Sequence, residues 1–179
     1  MQTGEAQMTD AIEIRRGTAV AVLTPSTDAD FEYINANLRP LDRFEQDHAL
    51  SKCGLAKPDS LCQMEKSWTL HLDGEIVGYV ALQVPYGSST LCDRRFVPML
   101  STVNVEHHPV DFARLSLPVF RHVVQSAPPW VGDFLSLPLA RYAKSVRWQE
   151  QMLGFRRVAE FDLYGENAVL LHISRKDVA

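Results

Sequence analysis

Hydrophobic and polar side chains alternate most regularly in residues 68–84. Trp68, Leu70 and Leu72 alternate with polar neighbours, and a second β-rich run follows the dipeptide Asp73-Gly74. Asp and Gly tolerate the positive φ that a two-residue hairpin turn requires. The pattern therefore predicts an antiparallel hairpin that turns at this dipeptide.

Other segments with the composition of β-strands lie on both sides of this hairpin. Apolar residues alternate with polar ones before and after Gly165-Glu166-Asn167, which predicts a second hairpin near the C-terminus. Single strands are predicted over residues 18–23, 96–105 and 134–137.

Helical periodicity occupies much of the sequence between these strands. Thr27 and Asp30 have the spacing of a capping box, in which two side chains satisfy backbone N–H groups at a helix start. Pro40 ends or kinks that first helix and can begin a second one, for which Gly54 suits the C-terminal cap. Later helices are predicted over residues 109–124, where Pro118 bends or interrupts the helix, and over residues 139–153.

The order of predicted elements is strand, two helices, hairpin, strand, helix, strand, helix and hairpin. Clustered strands with interspersed helices favour the α+β class, and 179 residues suit one domain with a substantial core. We expect residues 1–11 to form a polar N-terminal tail and residues 12–179 to form the domain.

Composition and charge narrow the classes of partner. A net charge of -4 argues against a nucleic-acid or anionic-membrane partner by bulk charge. No apolar run approaches the roughly 20 residues that a membrane helix needs, and residues 1–11 lack the apolar core of a signal peptide. A cytoplasmic protein without membrane contact is the expectation.

The cysteines and histidines show no pattern of a disulfide framework or a metal site. The three cysteines, Cys53, Cys62 and Cys92, are odd in number and form no Cys-x-x-Cys pair. The six histidines have no spacing to them that indicates zinc. We therefore expect reduced thiols and no metal.

Residues 143–155, with the sequence AKSVRWQEQMLGF, carry a resemblance to a known superfamily. They resemble the late helix of the GNAT N-acetyltransferases, which ends in Leu-Gly-Phe before a closing hairpin. With the element order, the resemblance covers roughly residues 18–175. It implies a single-domain GNAT-like (acyl-CoA N-acyltransferase) fold, α+β, with a mixed, mostly antiparallel sheet flanked by helices. It also implies acyl transfer from coenzyme A to an amine of a small molecule or a protein.

A narrower resemblance involves residues 38–45, LRPLDRFE, together with the SVRW and LGF segments of the late helix. These segments look like parts of a family of phage proteins related to the gene-13 virion protein of T7-type phages, itself regarded as GNAT-like. Membership would imply a phage or prophage origin, a phage protein partner and association with the virion. It would not by itself imply catalysis.

The sequence departs from the GNAT pattern at the phosphate-binding turn. The superfamily carries a Gln/Arg-x-x-Gly-x-Gly/Ala loop whose backbone N–H groups hold the coenzyme A pyrophosphate. The corresponding residues 110–115 contain no glycine and place Asp111 at that point, where it can instead cap the helix itself. The superfamily's frequent Asn and Tyr fall at Ala143 and Glu150, so Ser145 is the nearest hydroxyl. We expect acetyl-CoA binding to be weak or absent.

Candidate site residues follow from the resemblance. Glu106, at the end of the predicted fourth strand, would be the general base, and the alternative is a solvated strand-end carboxylate. Main-chain groups of Val103 and Val105 would hold the pantetheine arm. Three residues at the next helix, and one hydroxyl in the late helix, would contact the rest of coenzyme A: Phe112, Ala113, Arg114 and Ser145.

One further pair of carboxylates leaves two interpretations open. Asp42 and Glu45 lie three residues apart and would share a helical face, where they could bind a cationic substrate. Alternatively, they are solvated or pair with Arg39 and Arg43.

For the whole chain an N-acyltransferase and a non-catalytic GNAT-fold protein for virion assembly or protein binding stay open. A thiol hydrolase that uses Cys53 or Cys92 is a third class, with only composition in its favour.

Overall fold

One mixed sheet organises the fold of this computed structural model, which describes residues 11–53, 64–85 and 88–178. The strands of the described residues are β1 Ile12–Arg16, β2 Ala19–Pro25, β3 Met64–Leu72, β4 Glu75–Gln83, β5 Arg94–Phe96, β6 Met99–Ser101, β7 Asp133–Ser136, β8 Arg156–Leu163 and β9 Glu166–Ser174. The α-helices are α1 Asp28–Ala36, α2 Pro40–Cys53, α3 Pro109–Ser126, α4 Ala143–Trp148 and α5 Arg175–Val178. A 3-10 helix covers Val103–His107, and a π-helical turn, Gln149–Leu153, follows α4.

The strands have the order β1-β2-β3-β4-β5-β7-β9-β8, and β6 pairs with β4 beside this path. β5 and β7 are parallel, and the other pairs in the described sheet are antiparallel. This arrangement confirms the predicted α+β class with a mixed, mostly antiparallel sheet. Among the described residues, no helix combines the length and the apolar character needed to cross a membrane.

The hairpin predicted from residues 68–84 is confirmed as β3 and β4. Its turn residues have positive φ, 48° at Asp73 and 81° at Gly74. The C-terminal hairpin is also confirmed, although its positive-φ residues are Tyr164 and Gly165, so the turn begins one residue before the predicted position. Both hairpins could be predicted because a tight turn depends only on the residues next to each other in the sequence.

The capping box at the start of α1 is present as predicted. The Thr27 side chain accepts a hydrogen bond from the Asp30 backbone N–H, and the Asp30 carboxylate accepts one from the Thr27 N–H. Helix α2 begins at Pro40 as expected, whereas the predicted cap at Gly54 lies outside the described residues. Helix α3 runs without interruption through Pro118, contrary to one of the two expectations for that residue.

The strand predicted over residues 96–105 is wrong as a single element. The chain forms β5 and β6 on either side of Val97-Pro98, and residues after Ser101 turn into the 3-10 helix. Pro98 has no N–H to donate to the sheet, although its carbonyl oxygen still accepts a hydrogen bond from Ala81 N at 3.1 Å. Glu106 is therefore in the 3-10 helix and does not end a strand.

One strand was not predicted, and one helix begins later than predicted. Strand β1 falls in a segment for which no strand was predicted, and it pairs with β2 from Ile12↔Leu23 to Arg16↔Ala19. The late helix begins at Ala143 rather than residue 139, because Leu139 forms an antiparallel bridge with Ala168. Helical periodicity alone does not reveal such a bridge, since the partner is distant in sequence.

Candidate active site

The sheet opens at its centre, between β6 and the chain that follows β7. Strands β5 and β7 pair in parallel as far as Phe96↔Leu135. From there β6 stays on β4, with Leu100 opposite Tyr79, while the chain after β7 turns toward β9. The two neighbouring strands therefore diverge, and a cavity of about 640 Å³ lies in the gap. That volume is within the range of small-molecule sites.

The walls of this cavity come from α2, β4, β6, α3, residues 136–139 and α4. One wall depends on a close backbone approach between β4 and β6. A Cβ atom added at Gly78 would lie 2.2 Å from the Leu100 carbonyl oxygen, so no larger residue fits without a shift. Glycine is needed here to let the two strands meet.

Helix α2 presents a polar face to the cavity. Asp42, Glu45 and Gln46 have the i, i+3, i+4 spacing of one helical face, and all three line the cavity. Asp42 is 6% exposed and Gln46 is 8% exposed, whereas Leu41 is 45% exposed and Phe44 37%. Within residues 41–47 the helix thus reverses the usual arrangement, in which the apolar face is the more buried one.

The two carboxylates on this face are held in different ways. The Arg39 guanidinium donates to Asp42 Oδ2 at 2.7 Å, and the Ser101 backbone N–H donates to Asp42 Oδ1 at 3.0 Å. Burial nevertheless raises the pKa of Asp42, with Arg39 opposing the effect. Glu45 Oε1 accepts a hydrogen bond from Leu139 N at 2.9 Å, and burial raises the pKa of Glu45 to about 7. Glu45 therefore titrates near neutral pH.

A second helical face with the same spacing meets the cavity from α4 and the π-helical turn. Its members are Ser145, Trp148 and Gln149. The Trp148 ring stacks on Phe112 from α3, with 5.7 Å between ring centroids and an interplanar angle of 22°. This stack makes the opposite, largely apolar wall of the cavity.

Three buried polar atoms on these two faces have no hydrogen-bond partner among the described residues. They are Gln46 Oε1, Trp148 Nε1 and Gln149 Oε1. A buried polar atom without a partner costs about 1–3 kcal/mol. All three residues line the same cavity, although the three atoms themselves have almost no accessible surface.

Two of the sequence-predicted site residues, Phe112 and Ser145, meet at this cavity. Ala113 and Arg114 instead line a shallow groove beside Arg16, whose guanidinium donates to the Arg114 carbonyl oxygen at 3.1 Å. Glu106 is exposed on the 3-10 helix and is not among the described residues that line the cavity.

The backbone of the two predicted pantetheine positions is already hydrogen-bonded. Val103 N donates to Asn37 O at 2.9 Å, and Val105 N donates to Thr102 O at 3.2 Å. Arg39 N also donates to Ser101 O at 3.1 Å. The connection between α1 and α2 thus covers the end of β6.

The start of α3 is the expected position of the phosphate-binding turn. His108 is its N-cap, and among the described residues no side chain caps the first turn, so Asp111 does not act as the cap. The Asp111 carboxylate lies 3.9 Å from the Arg114 guanidinium. An anion at this turn would meet the negative charge of Asp111.

Sequence reasoning identified Asp42 and Glu45 as a pair but missed Gln46, Trp148 and Gln149. The available signal was the spacing itself, since polar side chains recur at i, i+3 and i+4 where a core stripe is normally apolar. No group of three or more His, Cys, Asp or Glu side chains in the described ranges is arranged to hold a metal ion.

Solved structures share this architecture. The aminoglycoside acetyltransferase AAC(6')-Ib in complex with coenzyme A has a TM-score of 0.62 and 18% identity, covering 88% of this chain and 96% of that chain. The GNAT domain of S. lividans PAT has a TM-score of 0.65 and 14% identity, and the match covers 92% of this chain and 96% of that chain. The chain has the GNAT fold.

A third solved structure with a similar architecture is that of an uncharacterised protein from Bacillus halodurans. Its TM-score is 0.64 at 12% identity, with 94% of this chain and 92% of that chain covered. No family model matches the sequence, and no curated protein matches it either. At these identities the likeness establishes the GNAT fold, while activity must be argued from the cavity.

Proposed function

We propose that the protein is an acyl-CoA-dependent N-acyltransferase acting on an amine. The observation that carries the proposal is the cavity in the open centre of the GNAT sheet, with the polar face of α2 on one side and the Phe112–Trp148 stack on the other. Coenzyme A is present in the structure of AAC(6')-Ib, which has the same fold. Such a cavity can hold an acyl donor and an acceptor next to each other, and this proximity is a large part of catalysis.

The thioester end of coenzyme A fits the α4 side of the cavity. Trp148 Nε1 is a buried donor without a partner among the described residues, and the Ser145 hydroxyl lines the same wall. These groups would donate hydrogen bonds to the thioester, which increases its electrophilic character. A bound acyl thioester would supply the carbonyl carbon to which the amine nitrogen bonds, while the carbon–sulfur bond breaks and the thiol leaves.

The pyrophosphate end of coenzyme A fits poorly at the start of α3. Residues 110–115 have no glycine for close backbone approach, and Asp111 would repel a phosphate. The N–H groups of Val103 and Val105 already donate within the protein. We therefore propose that acetyl-CoA binds weakly, and that Ala113 and Arg114 contribute only peripheral contacts.

Calorimetric titration with acetyl-CoA tests this function. Wild type should bind weakly, and Asp111→Gly should bind more tightly because it removes a negative charge and a side chain from the turn. Asp111→Asn is the matched control, since it removes the charge but keeps the side chain. A tight wild-type complex that Asp111→Gly weakens would contradict the proposed role of this turn.

A second candidate is a non-catalytic GNAT-fold protein that binds another protein, including a virion-assembly role in a phage. The glycine-free turn and the covered end of β6 favour it, and the resemblance of residues 38–45 to phage proteins is its sequence support. Failure of acetyl-CoA to bind both wild type and Asp111→Gly would select this candidate.

A further inference from the structure

Strand β8 forms one end of the described sheet and is exposed along nearly its whole length. Seven of its eight residues, 156–162, are exposed, and the last is half-buried. β8 pairs with β9 on one side, and in the part of the chain that the structure describes no strand lies on its other side. Backbone N–H and C=O groups of β8 therefore face outward, where an added strand could bind them.

The hairpin that contains β8 also exposes large apolar side chains. Val158 is 60% exposed, Phe161 39% and Tyr164 63%. Single exposed apolar residues are common on protein surfaces and need no explanation. Three of them within residues 158–164, beside an outward-facing strand edge, favour a protein partner for this part of the molecule.

Tyr164, at the tip of this hairpin, has a backbone conformation that a tyrosine rarely adopts. Its φ is 53°, in the left-handed region, and Gly165 follows with a φ of 92°. Hairpin turns with two positive φ angles favour Asn or Asp at the first of these positions. The chain thus keeps a large exposed ring where a smaller residue would fold more easily, and such strained positions cluster at functional sites.

The charges along β8 suit a second copy of the same strand. Arg156 and Arg157 lie at its start, whereas Glu160 and Asp162 lie toward its end. Edge strands are often protected from pairing by their charges, but here the charges sum to zero and the two signs are separated along the strand. In an antiparallel pair of β8 strands, the positive start of each strand would lie beside the negative end of the other.

We infer that β8 is the interface of a homodimer, in which the β8 strands of two copies pair antiparallel and join the two sheets. A two-fold axis relates the copies, so the same edge of each copy is covered by the other. The tip of each hairpin then lies beside the start of the other β8, where the Tyr164 ring can contact the Arg156 guanidinium. The Arg156 side chain is 79% exposed and lies 4.0 Å from the Asp177 carboxylate, which leaves it accessible for this contact.

Contacts within one copy hold β8 in place before it pairs. Arg157 donates to Glu150 at 3.2 Å and to Glu160 at 2.6 Å, and Asn167 of β9 donates to Glu160 at 3.2 Å. A strand that is already ordered loses little conformational freedom on pairing, so a small interface of this kind can form.

Sedimentation velocity of the wild-type chain tests the inference. Small interfaces bind weakly, so the protein should change from monomer to dimer between about 1 and about 300 µM. The assembly should stop at two copies, because an antiparallel pair uses the β8 edge of both. A protein that stays monomeric over this range, or that grows into larger assemblies, would overturn the inference.

A charge placed on the edge tests whether β8 carries the contact. Val158→Lys gives the strand a net positive charge that repels its own copy, and it should weaken self-association at least tenfold. Val110→Lys is the matched control, because this valine is 57% exposed at the start of α3. The control should dimerise like wild type. Equal self-association of all three proteins would place the contact elsewhere and contradict the role of β8.

A variant at the hairpin tip gives an independent test. Asn tolerates the positive φ of this turn, so Tyr164→Asn should raise the thermal midpoint, measured at a concentration where the protein is monomeric, and should weaken the dimer. A residue needed only for the turn would not show these opposite effects. A raised midpoint with unchanged self-association would remove Tyr164 from the interface and count against the inference.

Hydrogen exchange locates the interface without any substitution. Amides of residues 156–163 should exchange more slowly at a high protein concentration than at a low one, because the second copy binds outward-facing N–H groups. Amides of β1, at the opposite end of the described sheet, should exchange equally at both concentrations. Concentration-dependent protection of β1 without protection of β8 would overturn the inference even if a dimer forms.

Discussion

At the scale of single residues, some buried polar side chains have hydrogen-bond partners for their polar atoms and others do not. The Arg95 side chain is completely buried, and its guanidinium donates to both carboxylate oxygens of Glu65 at 2.8 and 3.0 Å and to three backbone carbonyls. Gln149, by contrast, is buried with an unpartnered oxygen. We assign the first residue to stability and the second to binding, because only the second lacks a partner in the part of the chain that the structure describes.

Replacing Arg95 should therefore be costly. Arg95→Met leaves Glu65 without its partner, and we expect the free energy of unfolding to fall by about 3–5 kcal/mol. Urea denaturation gives the value directly. Arg94→Met, at the exposed neighbouring position, should change it by no more than about 0.5 kcal/mol. Similar losses in both variants would show that the buried pair is unimportant.

The raised pKa of Glu45 predicts how stability depends on pH. The folded protein holds this proton up to about pH 7, whereas the unfolded chain releases it near 4.5. Between these values the folded state binds more protons, so the contribution of Glu45 to stability is complete below pH 4.5 and is lost as pH rises through 7.

Relative to Glu45→Gln, the wild type should lose on the order of 2–3 kcal/mol of unfolding free energy between pH 4.5 and pH 8. Parallel urea denaturation series on the two proteins check this. Identical pH dependence of the two series would mean that Glu45 has an ordinary pKa.

At the scale of elements, the sequence predicted those features that adjacent residues determine. The hairpin at Asp73-Gly74 and the capping box at Thr27 are of this kind, and both are present. The division of residues 96–105 was not predictable, because it depends on where β6 pairs with β4 and where β5 pairs with β7. The reversed polarity of α2 escaped prediction for the same reason, since its burial is set by distant elements.

The contact between β4 and β6 gives a prediction for Gly78. A Cβ atom in Gly78→Ala would clash with the Leu100 carbonyl, so β6 must shift and the unfolding free energy should fall by about 1–3 kcal/mol or more. Gly132→Ala is the matched control, because no atom lies within 4 Å of its added Cβ and no positive φ applies. Equal thermal midpoints for the two variants would contradict the close approach.

At the scale of the whole molecule, the order of elements together with the resemblance of residues 143–155 predicted the fold, while the candidate site was only partly predictable. Phe112 and Ser145, which the resemblance suggested as coenzyme A contacts, line the cavity, and their role stays a prediction. Trp148 and Gln149 were not recognised as members of the site, because they line the cavity together with α2 residues that are distant in sequence. A site formed between elements that are about 100 residues apart leaves little local signal in the sequence.

For the whole chain, we predict that all three cysteines are reduced. Cys92 is a free thiol, the side chain of Cys53 and all of Cys62 lie outside the described residues, and the odd number argues against complete pairing. Thiol titration under denaturing, non-reducing conditions should therefore find three reactive groups. A count of one would reveal a disulfide between two of the cysteines.

The reversed polarity of α2 has a consequence for hydrogen exchange. In residues 41–47 of this helix, Leu41 and Phe44 are less buried than Asp42, and Asp42 and Glu45 accept hydrogen bonds from the backbone of Ser101 and Leu139. Its free energy of local opening should be lower than that of α3, which buries Leu115 and Phe120. Backbone amides of residues 43–47 should thus exchange earlier than those in the middle of α3.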